Sequence, residues 1–533
     1  MKSNSTKISL LDSFRQLSRE KWQLGATIFV GKMVGLFLVI MAMMIVPNFF
    51  GTPAHAAEVY TAHETTMMNT INTVWTLVAA FLVFGMQAGF VMLEAGFARK
   101  RETVNVLMEC IFDTCLCGIL FYAIGYAFMF GQGNGFIGWG GADGKTWFFL
   151  QNLPDTYLAY GVPVIAHWIF QFAFADTCST IVSGAMIGRT SFRGDILYSI
   201  GITGFIYPII GHWAWGPDGF LATMGTSGVF AKVLGQPFRD FAGSTVVHTI
   251  GGVASLAGAI VLGPRLGRIF ARDDKAKGGL PAGHNLLVAA VGGFILWFGW
   301  YGFNPGSTLN AMDMQGIGRV ATNTTLAACA GGFTAMLAAL WWGPTKGKFD
   351  LAFTVNGFLA GLVAITCPCY WVSPFGSIML GGVAGFIVVG GIYLVEWFRI
   401  DDPVGAFSVH GLNGIWGTLS LGLFASGQFG ATTPTGADNT APVTGLFYGG
   451  GGSVLASQAM GSFVITASVF IVTFAMMYII NKLPNPWRLR VEEHGELGLG
   501  GLDVFDHGFE VYPLQDDEVS LSDLMDKGVK EPA

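Results

Sequence analysis

Charge is what this chain has least of. Of its 533 residues only 12% are Asp, Glu, Lys or Arg, while 52% are hydrophobic. A soluble chain carries about 25% charged residues, and one of this length would normally divide into several domains. The few charges sit in short clusters between apolar runs, which describes a polytopic all-α membrane protein. A net charge of −6 without any basic stripe excludes a nucleic-acid surface. The seven cysteines fall mostly inside apolar runs, so no disulfide framework is expected, and the close pair Cys367 and Cys369 reads as packing. No HExxH motif or third convergent ligand accompanies the histidines, so neither a metal nor a cofactor is expected. No nucleophile motif or pair of catalytic carboxylates stands out either, which argues against an enzyme.

Glycine is plentiful: seventy-six of them suit helices that approach closely within a bilayer. Eleven apolar segments follow one another, at about 70–97, 104–130, 161–187, 196–216, 241–264, 284–303, 319–343, 351–371, 376–398, 406–426 and 458–481. Ahead of them, Arg15, Arg19, Lys21 and Lys32 precede an apolar run, and Ala54-His55-Ala56 before Ala57 fits a cleavage site. Residues 1–57 therefore read as a signal peptide cleaved near Ala56/Ala57, residues 58–481 as an eleven-helix membrane domain, and 482–533 as a tail whose acidic end 514–533 is expected to be disordered.

Basic residues alternate from loop to loop. Thirteen (Arg99, Lys100, Arg101, Arg189, Arg193, Arg265, Arg268, Arg272, Lys275, Lys277, Lys346, Lys348 and Arg399) fall on one side, against Lys145, Lys232, Arg239 and Arg319 on the other. The positive-inside rule puts the thirteen in the cytoplasm, the amino end outside and the carboxyl end inside. Segments one to five and six to ten then form halves of opposite topology, an inverted 5+5 repeat plus a final helix.

Each half ends in the same spacing: Asp240 precedes His248 by eight positions, and Asp402 precedes His410 by eight. At about 1.5 Å per helical residue, eight residues carry each ring about 12 Å into a core about 30 Å thick. With the two helices running in opposite directions, both imidazoles are expected near the midplane. A lone histidine in an apolar stretch is usually a core residue, but a matched pair in opposed helices marks a pathway. Two neutral rings can share a proton, one donating and one accepting.

Aromatic residues surround these segments: Phe170 and Phe174 four apart around Gln171, Trp215 at the end of segment four, and Phe303, Asn304 and Ser307 at the end of segment six. Aromatic faces attract small cations and a hydroxyl accepts from an ammonium-like group. Trp213 and Trp300 read as packing. Glu94, Glu109, Asp113 and Asp176 lie inside apolar segments, and read first as a buried polar cluster joining helices and second as an auxiliary proton path.

The strings DFAGSTVVH, GWYGFNPGS, FQFAF and DDPVGAFSVHG together resemble the ammonium transporter family (Amt/MEP/Rh), in its bacterial and plant branch, over about residues 68–512. The resemblance implies a homotrimer with one pore per subunit in the inner membrane. It implies recruitment of ammonium by Trp215, Phe174 and Ser307 flanked by Phe170 and Gln171, a phenyl gate of Phe174 and Phe303, and a twin-histidine pore of His248 and His410. Asp240 would be the structural carboxylate that supports the recruitment site, with Asn304 as a second structural support. Asp503, His507, Gly508 and Tyr512 resemble the family's tail motif, although Phe509 stands where a glutamate is often found, and a PII-type signal protein is the implied partner at the cytoplasmic face. The favoured activity is electrogenic ammonium uptake, with ammonia crossing the pore and the proton relayed by the histidines. A passive ammonia or gas channel of Rh type and an ammonium sensor remain alternatives.

Overall fold

The computed structural model describes residues 61–157, 161–224, 234–342, 347–430 and 442–512. The segment read as a signal peptide and the acidic end 514–533 lie outside the described residues. The helices are α1 Ala62–Phe97, α2 Lys100–Phe130, α3 Val164–Gly184, α4 Phe192–Thr223, α5 Ser244–Leu262, α6 Leu286–Thr308, α7 Met314–Trp341, α8 Leu351–Thr366, α9 Pro374–Trp397, α10 Phe407–Leu412 continuing as Asn413–Phe424, and α11 Ser453–Ile480. Between α2 and α3 lie two antiparallel pairs of short strands, β1 Gln132–Asn134 with β2 Ile137–Gly140 and β3 Thr156–Tyr157 with β4 Val162–Pro163. Two short helices, α12 Glu493–Leu497 and α13 Gly501–His507, follow α11.

Among the described residues, eight helical stretches are long and apolar enough to cross a membrane: α1, α2, α4, α5, α6, α7, α9 and α11. The other three fill expected segments but are shorter or more polar. Helix α3 carries His167, Gln171 and Asp176, α8 has 16 residues, and α10 carries His410 and Asn413. Large apolar side chains face outward, such as Phe294, Phe298, Phe463 and Ile471, each more than 60% exposed. A surface of that kind belongs in lipid or against another subunit. The protein is a multi-pass membrane protein.

Local sequence explains several helix starts. Helix α1 begins at Ala62 rather than near residue 70 because Thr61 and Glu64 cap each other reciprocally. Asp350 accepts from the Phe353 N–H at the start of α8, and Ser373 from the Gly376 N–H at the start of α9, where Pro374 needs no partner. Small residues then set the packing. A Cβ on Gly89 would lie 2.9 Å from the Gly292 carbonyl oxygen, and one on Gly361 would lie 2.2 Å from that of Ala327. These contacts seat α1 against α6 and α7 against α8 at backbone distance, where dispersion rather than water expulsion holds helices together.

At the arginine-rich end, polar bonds take over. Arg265 clamps Asp401 through Nε and Nη2 at 2.8 and 3.0 Å, and Arg268 pairs with Glu396 at 2.5 Å. The fully buried Arg189 donates to the backbone oxygens of Gly263 and Asp401 at 2.8 and 2.6 Å. Burial pushes the Asp401 carboxyl up, but the hydrogen bonds from Arg265 and the charges of Arg189 and Arg265 overcome it, leaving Asp401 below the usual carboxylate range. The tail is stitched to the same end. Arg490 reaches Glu496 at 2.7 Å and the Leu262 carbonyl at 2.5 Å, and Glu496 accepts from the Leu266 N–H.

Candidate functional site

Helices α5 and α10 meet at a buried crossing, and each starts the same way. Asp240 accepts from the N–H groups of Gly243, Thr245 and Val246 at 3.0, 2.9 and 2.9 Å. Asp402 accepts from those of Gly405, Ala406 and Phe407 at 2.9, 3.0 and 3.0 Å. Gly243 and Gly405 take left-handed φ values of 110° and 80°, which glycine adopts without strain. The first turn of both helices is then a wide π turn, Ser244–Thr249 and Phe407–Leu412, and each contains the histidine. Such turns are uncommon and concentrate at functional sites.

This corrects the helical reading of the spacing. The eight residues from aspartate to histidine are not a continuous α-helical rod. They are a capping carboxylate, a left-handed glycine three positions on, and a short piece of π helix. Both histidines therefore sit close to the starts of their helices.

Glycine brings the rings together. A Cβ on Gly252 would lie 2.2 Å from the Gly411 nitrogen, and one on Gly414 would lie 2.4 Å from the Ser244 carbonyl oxygen. The Thr245 and Thr418 hydroxyls are hydrogen-bonded to each other. Contacts that fall in number along one helix as they rise along the other mean that α5 and α10 run antiparallel, as the charge pattern predicts. The Nδ1 atoms of His248 and His410 lie 3.2 Å apart, with ring planes inclined by 24°. At that separation one ring donates and the other accepts. The second nitrogen of His248, Nε2, is buried without a hydrogen-bond partner.

Aromatic rings wall the pair on one side. His248 stacks on Trp300 at 5.0 Å and lies 5.4 Å from Phe303. Phe303 stacks on Phe174 at 4.0 Å, Phe174 meets Phe170 at 4.7 Å, and Trp215 lies 6.1 Å from Phe174. The indole of Trp215 donates to the Asp240 carbonyl oxygen at 2.7 Å, which ties this aromatic row to the cap of α5. Ser307 follows in the turn after Phe303 and donates to its carbonyl oxygen at 2.8 Å. Asn304 points instead to α7, donating to Thr324 at 3.0 Å. Gln171 bonds to His167 at 3.3 Å.

Several residues of this neighbourhood were not legible in advance. Trp300, read as packing, stacks face to face on His248 and donates to Thr366 at 2.9 Å. His167 is enclosed by Tyr157, stacked at 3.8 Å, and by the Tyr126 hydroxyl at 2.9 Å. The four carboxyls read as one cluster are all buried, and Asp195 joins them. In the tail, Asp503 accepts from the Asn105 N–H at 2.9 Å, His507 bonds to the Asn105 side chain at 3.1 Å, and Tyr512 lies against His284 and Lys100.

The sequence profile described as Ammonium Transporter Family matches residues 74–512. The chain belongs to the ammonium transporter family. It is 42% identical to ammonium transporter Amt2 of Archaeoglobus fulgidus over 83% of this chain and 88% of that protein. With ammonium transporter 1 member 3 of Solanum lycopersicum it shares 34% identity over 85% and 96% of the two chains. Among solved structures, a Sensor Amt Protein superposes with a TM-score of 0.68 at 32% identity, over 83% of this chain and 99% of that one. The Candida albicans Mep2 crystal structure gives 0.68 at 28% identity, over 80% and 87%. The Archaeoglobus fulgidus and Solanum lycopersicum relatives are both named as transporters.

Proposed function

We propose that this ammonium transporter recruits ammonium at Trp215, Phe174 and Ser307, flanked by Phe170 and Gln171, and passes ammonia between the Phe174 and Phe303 rings to His248 and His410. The released proton is relayed by the two imidazoles, so that transport carries net charge. Asp240 supports the recruitment end through its hold on α5 and, by its carbonyl, on Trp215; Asn304 fixes the chain after Phe303. In this reading all eleven helices span the inner membrane, the amino end is outside after removal of residues 1–57, and the arginine-rich end and tail are cytoplasmic. The chain works as a homotrimer with one pore per subunit, and a PII-type protein docks on loop 265–283 and the tail.

The observation that carries this reading is the pair of buried imidazoles 3.2 Å apart beside the stacked phenyl rings. Ammonium in an apolar channel loses its hydration, and a charge at the bilayer centre costs about 2.5–3.5 kcal/mol even on lenient scales. Contact with an aromatic face returns about 0.5–2 kcal/mol. Moving neutral ammonia and the proton separately avoids most of the difference. Potassium has no proton to give up, so the same route rejects it.

The test is ammonium-evoked current on a solid-supported membrane. The parent protein should give a current that His248→Ala or His410→Ala abolishes or converts to unselective leak. Parent-sized selective currents in both variants would overturn the relay. Ammonia flux without any current in the parent would instead make the protein a passive channel.

A further inference from the structure

Five carboxyl side chains gather away from the histidine pair: Glu94 of α1, Glu109 and Asp113 of α2, Asp176 of α3 and Asp195 of α4. Each is at most 2% exposed. Asp113 is the hub, within electrostatic reach of the other four. The titratable groups that act on the five are one another, and around them lie the Cys110 and Cys117 thiols of α2 and the Tyr198 phenol of α4. No basic group stands among those neighbours.

A cluster that only joined helices would close its hydrogen bonds. This one closes some: Ser183 donates to Glu94 at 3.2 Å, Ser179 to Asp113 at 3.4 Å, and Asn105 to Glu109 at 2.7 Å. Both oxygens of Asp176 and the second oxygen of Asp113 stay unpartnered. The fully buried hydroxyls of Tyr198 and Ser199 face the same carboxyls without completing a hydrogen bond, and so does the Gln87 amide beside Asp176. Five unpaired negative charges cannot persist at that depth, because each is expensive in a membrane and each repels the others. The cluster must hold protons or a cation. Acceptors and hydroxyls that can both give and take hydrogen favour protons.

One edge of the cluster leads to the tail. Asn105 donates to Glu109 through Nδ2, and its Oδ1 lies 3.1 Å from Nε2 of the half-buried His507. Two further carboxylates face this exit, Asp503 on the Asn105 N–H and Asp506 on the Phe192 N–H.

We propose that these five carboxyls form a second proton-binding site of the transporter, separate from the histidine pair and open to the tail side past Glu109, Asn105 and His507. The proposal rests on the transport reading above. A proton moves by forming an O–H bond on one carboxylate as the O–H bond of its neighbour breaks. Asn105 holds the His507 ring beside Glu109 by accepting from its Nε2–H. A solvent water takes the proton as the Glu109 O–H bond breaks, the free Nδ1 of His507 takes a proton from that water, and the ring returns it to bulk water. Nothing is oxidised or reduced.

Infrared difference spectroscopy of the full-length protein in liposomes, in H2O and D2O, reads protonated carboxyls through their C=O stretch without any need for transport. A band from buried protonated acid is expected, weaker in Asp113→Asn and in Asp176→Asn and unchanged in His248→Ala. Its shift on transfer to D2O should be at least tenfold slower in His507→Gln, a tail substitution that leaves the membrane helices intact. Absence of the band at neutral pH, parent-like intensity in both Asn variants, or parent-like exchange in His507→Gln would each overturn the proposal. Ammonium-evoked current on the same liposomes keeps the two readings apart. A missing band with normal current removes the cluster alone, whereas a band in a protein without current removes the transport reading.

Discussion

Asp240 and Asp402 each accept three backbone N–H groups at the mouth of a helix, and each does so in front of a left-handed glycine. Loss of an N-terminal cap costs about 0.5–2 kcal/mol, and buried donors left without an acceptor add about 1–3 kcal/mol. Asp240→Ala should therefore lower both the folded yield in membranes and the ammonium-evoked current, while Asp240→Glu should keep part of each. Equal currents per folded molecule in parent and Asp240→Ala would remove Asp240 from the support of the pore. The role of these two residues was visible in the sequence as a repeated spacing, but its cause was not. Helical rise explains a distance, whereas the real cause is the shared pattern Asp-x-x-Gly ahead of a histidine five positions on. Trp300 reads as packing in the sequence because an indole in an apolar run is indistinguishable from packing until the ring it faces is known. Asp195 was missed for a related reason: it follows Arg189 and Arg193 closely, and a charge there reads as belonging to the loop.

At the scale of helices, the crossing of α5 and α10 depends on glycine more than on any side chain that fills it. Gly252 has no room for a Cβ beside Gly411. Overpacking a tight core costs about 1–3 kcal/mol. Gly252→Val should push the helices apart, lower the melting temperature in detergent and reduce the current, with both effects smaller in Gly252→Ala. A parent-like melting curve for Gly252→Val would show that the crossing is not tight. The course of these helices was legible, since the alternation of basic loops already sets their opposed directions. The segments at α3, α8 and α10 are legible as apolar runs, but these helices are shorter or more polar than the other eight, and the polar residues of α3 and α10, among them His167, Gln171, Asp176, His410 and Asn413, are buried inside the bundle.

The tail is an element of the same kind, bound by polar contacts rather than by apolar area. Burial lowers the His507 pKa below its ordinary value. The docked tail thus binds a proton less readily than a released one, so docking is fully present above about pH 6.5 and weakens as pH falls below that. Hydrogen exchange of the α13 amides should accelerate relative to α11 between pH 7 and pH 5.5, after correction for intrinsic rates. A constant ratio would separate His507 from tail docking.

For the whole molecule, cohesion is divided between small residues in the bundle and a charged clasp at one end. Asp401, Arg265 and Arg189 are nearly removed from solvent, and breaking a buried ion pair by deleting one partner costs about 3–5 kcal/mol. Asp401→Asn should lower the melting temperature at pH 7. Because the Asp401 pKa is depressed in the folded state, its contribution is complete above about pH 4 and is lost as pH drops further. The gap between parent and variant should accordingly begin to shrink below that point. A gap that stays constant from pH 7 to pH 3 would show that the carboxylate charge contributes nothing.

Two backbones that touch through hydrogen atoms leave no slack between them. Where Gly252 meets Gly411, the crossing of α5 and α10 is a hard stop rather than a hinge, and neither helix can slide closer to the other. Any change of shape at that level must come from rings swinging on their own Cα–Cβ bonds, at the pace of side-chain rotation and not of moving helices.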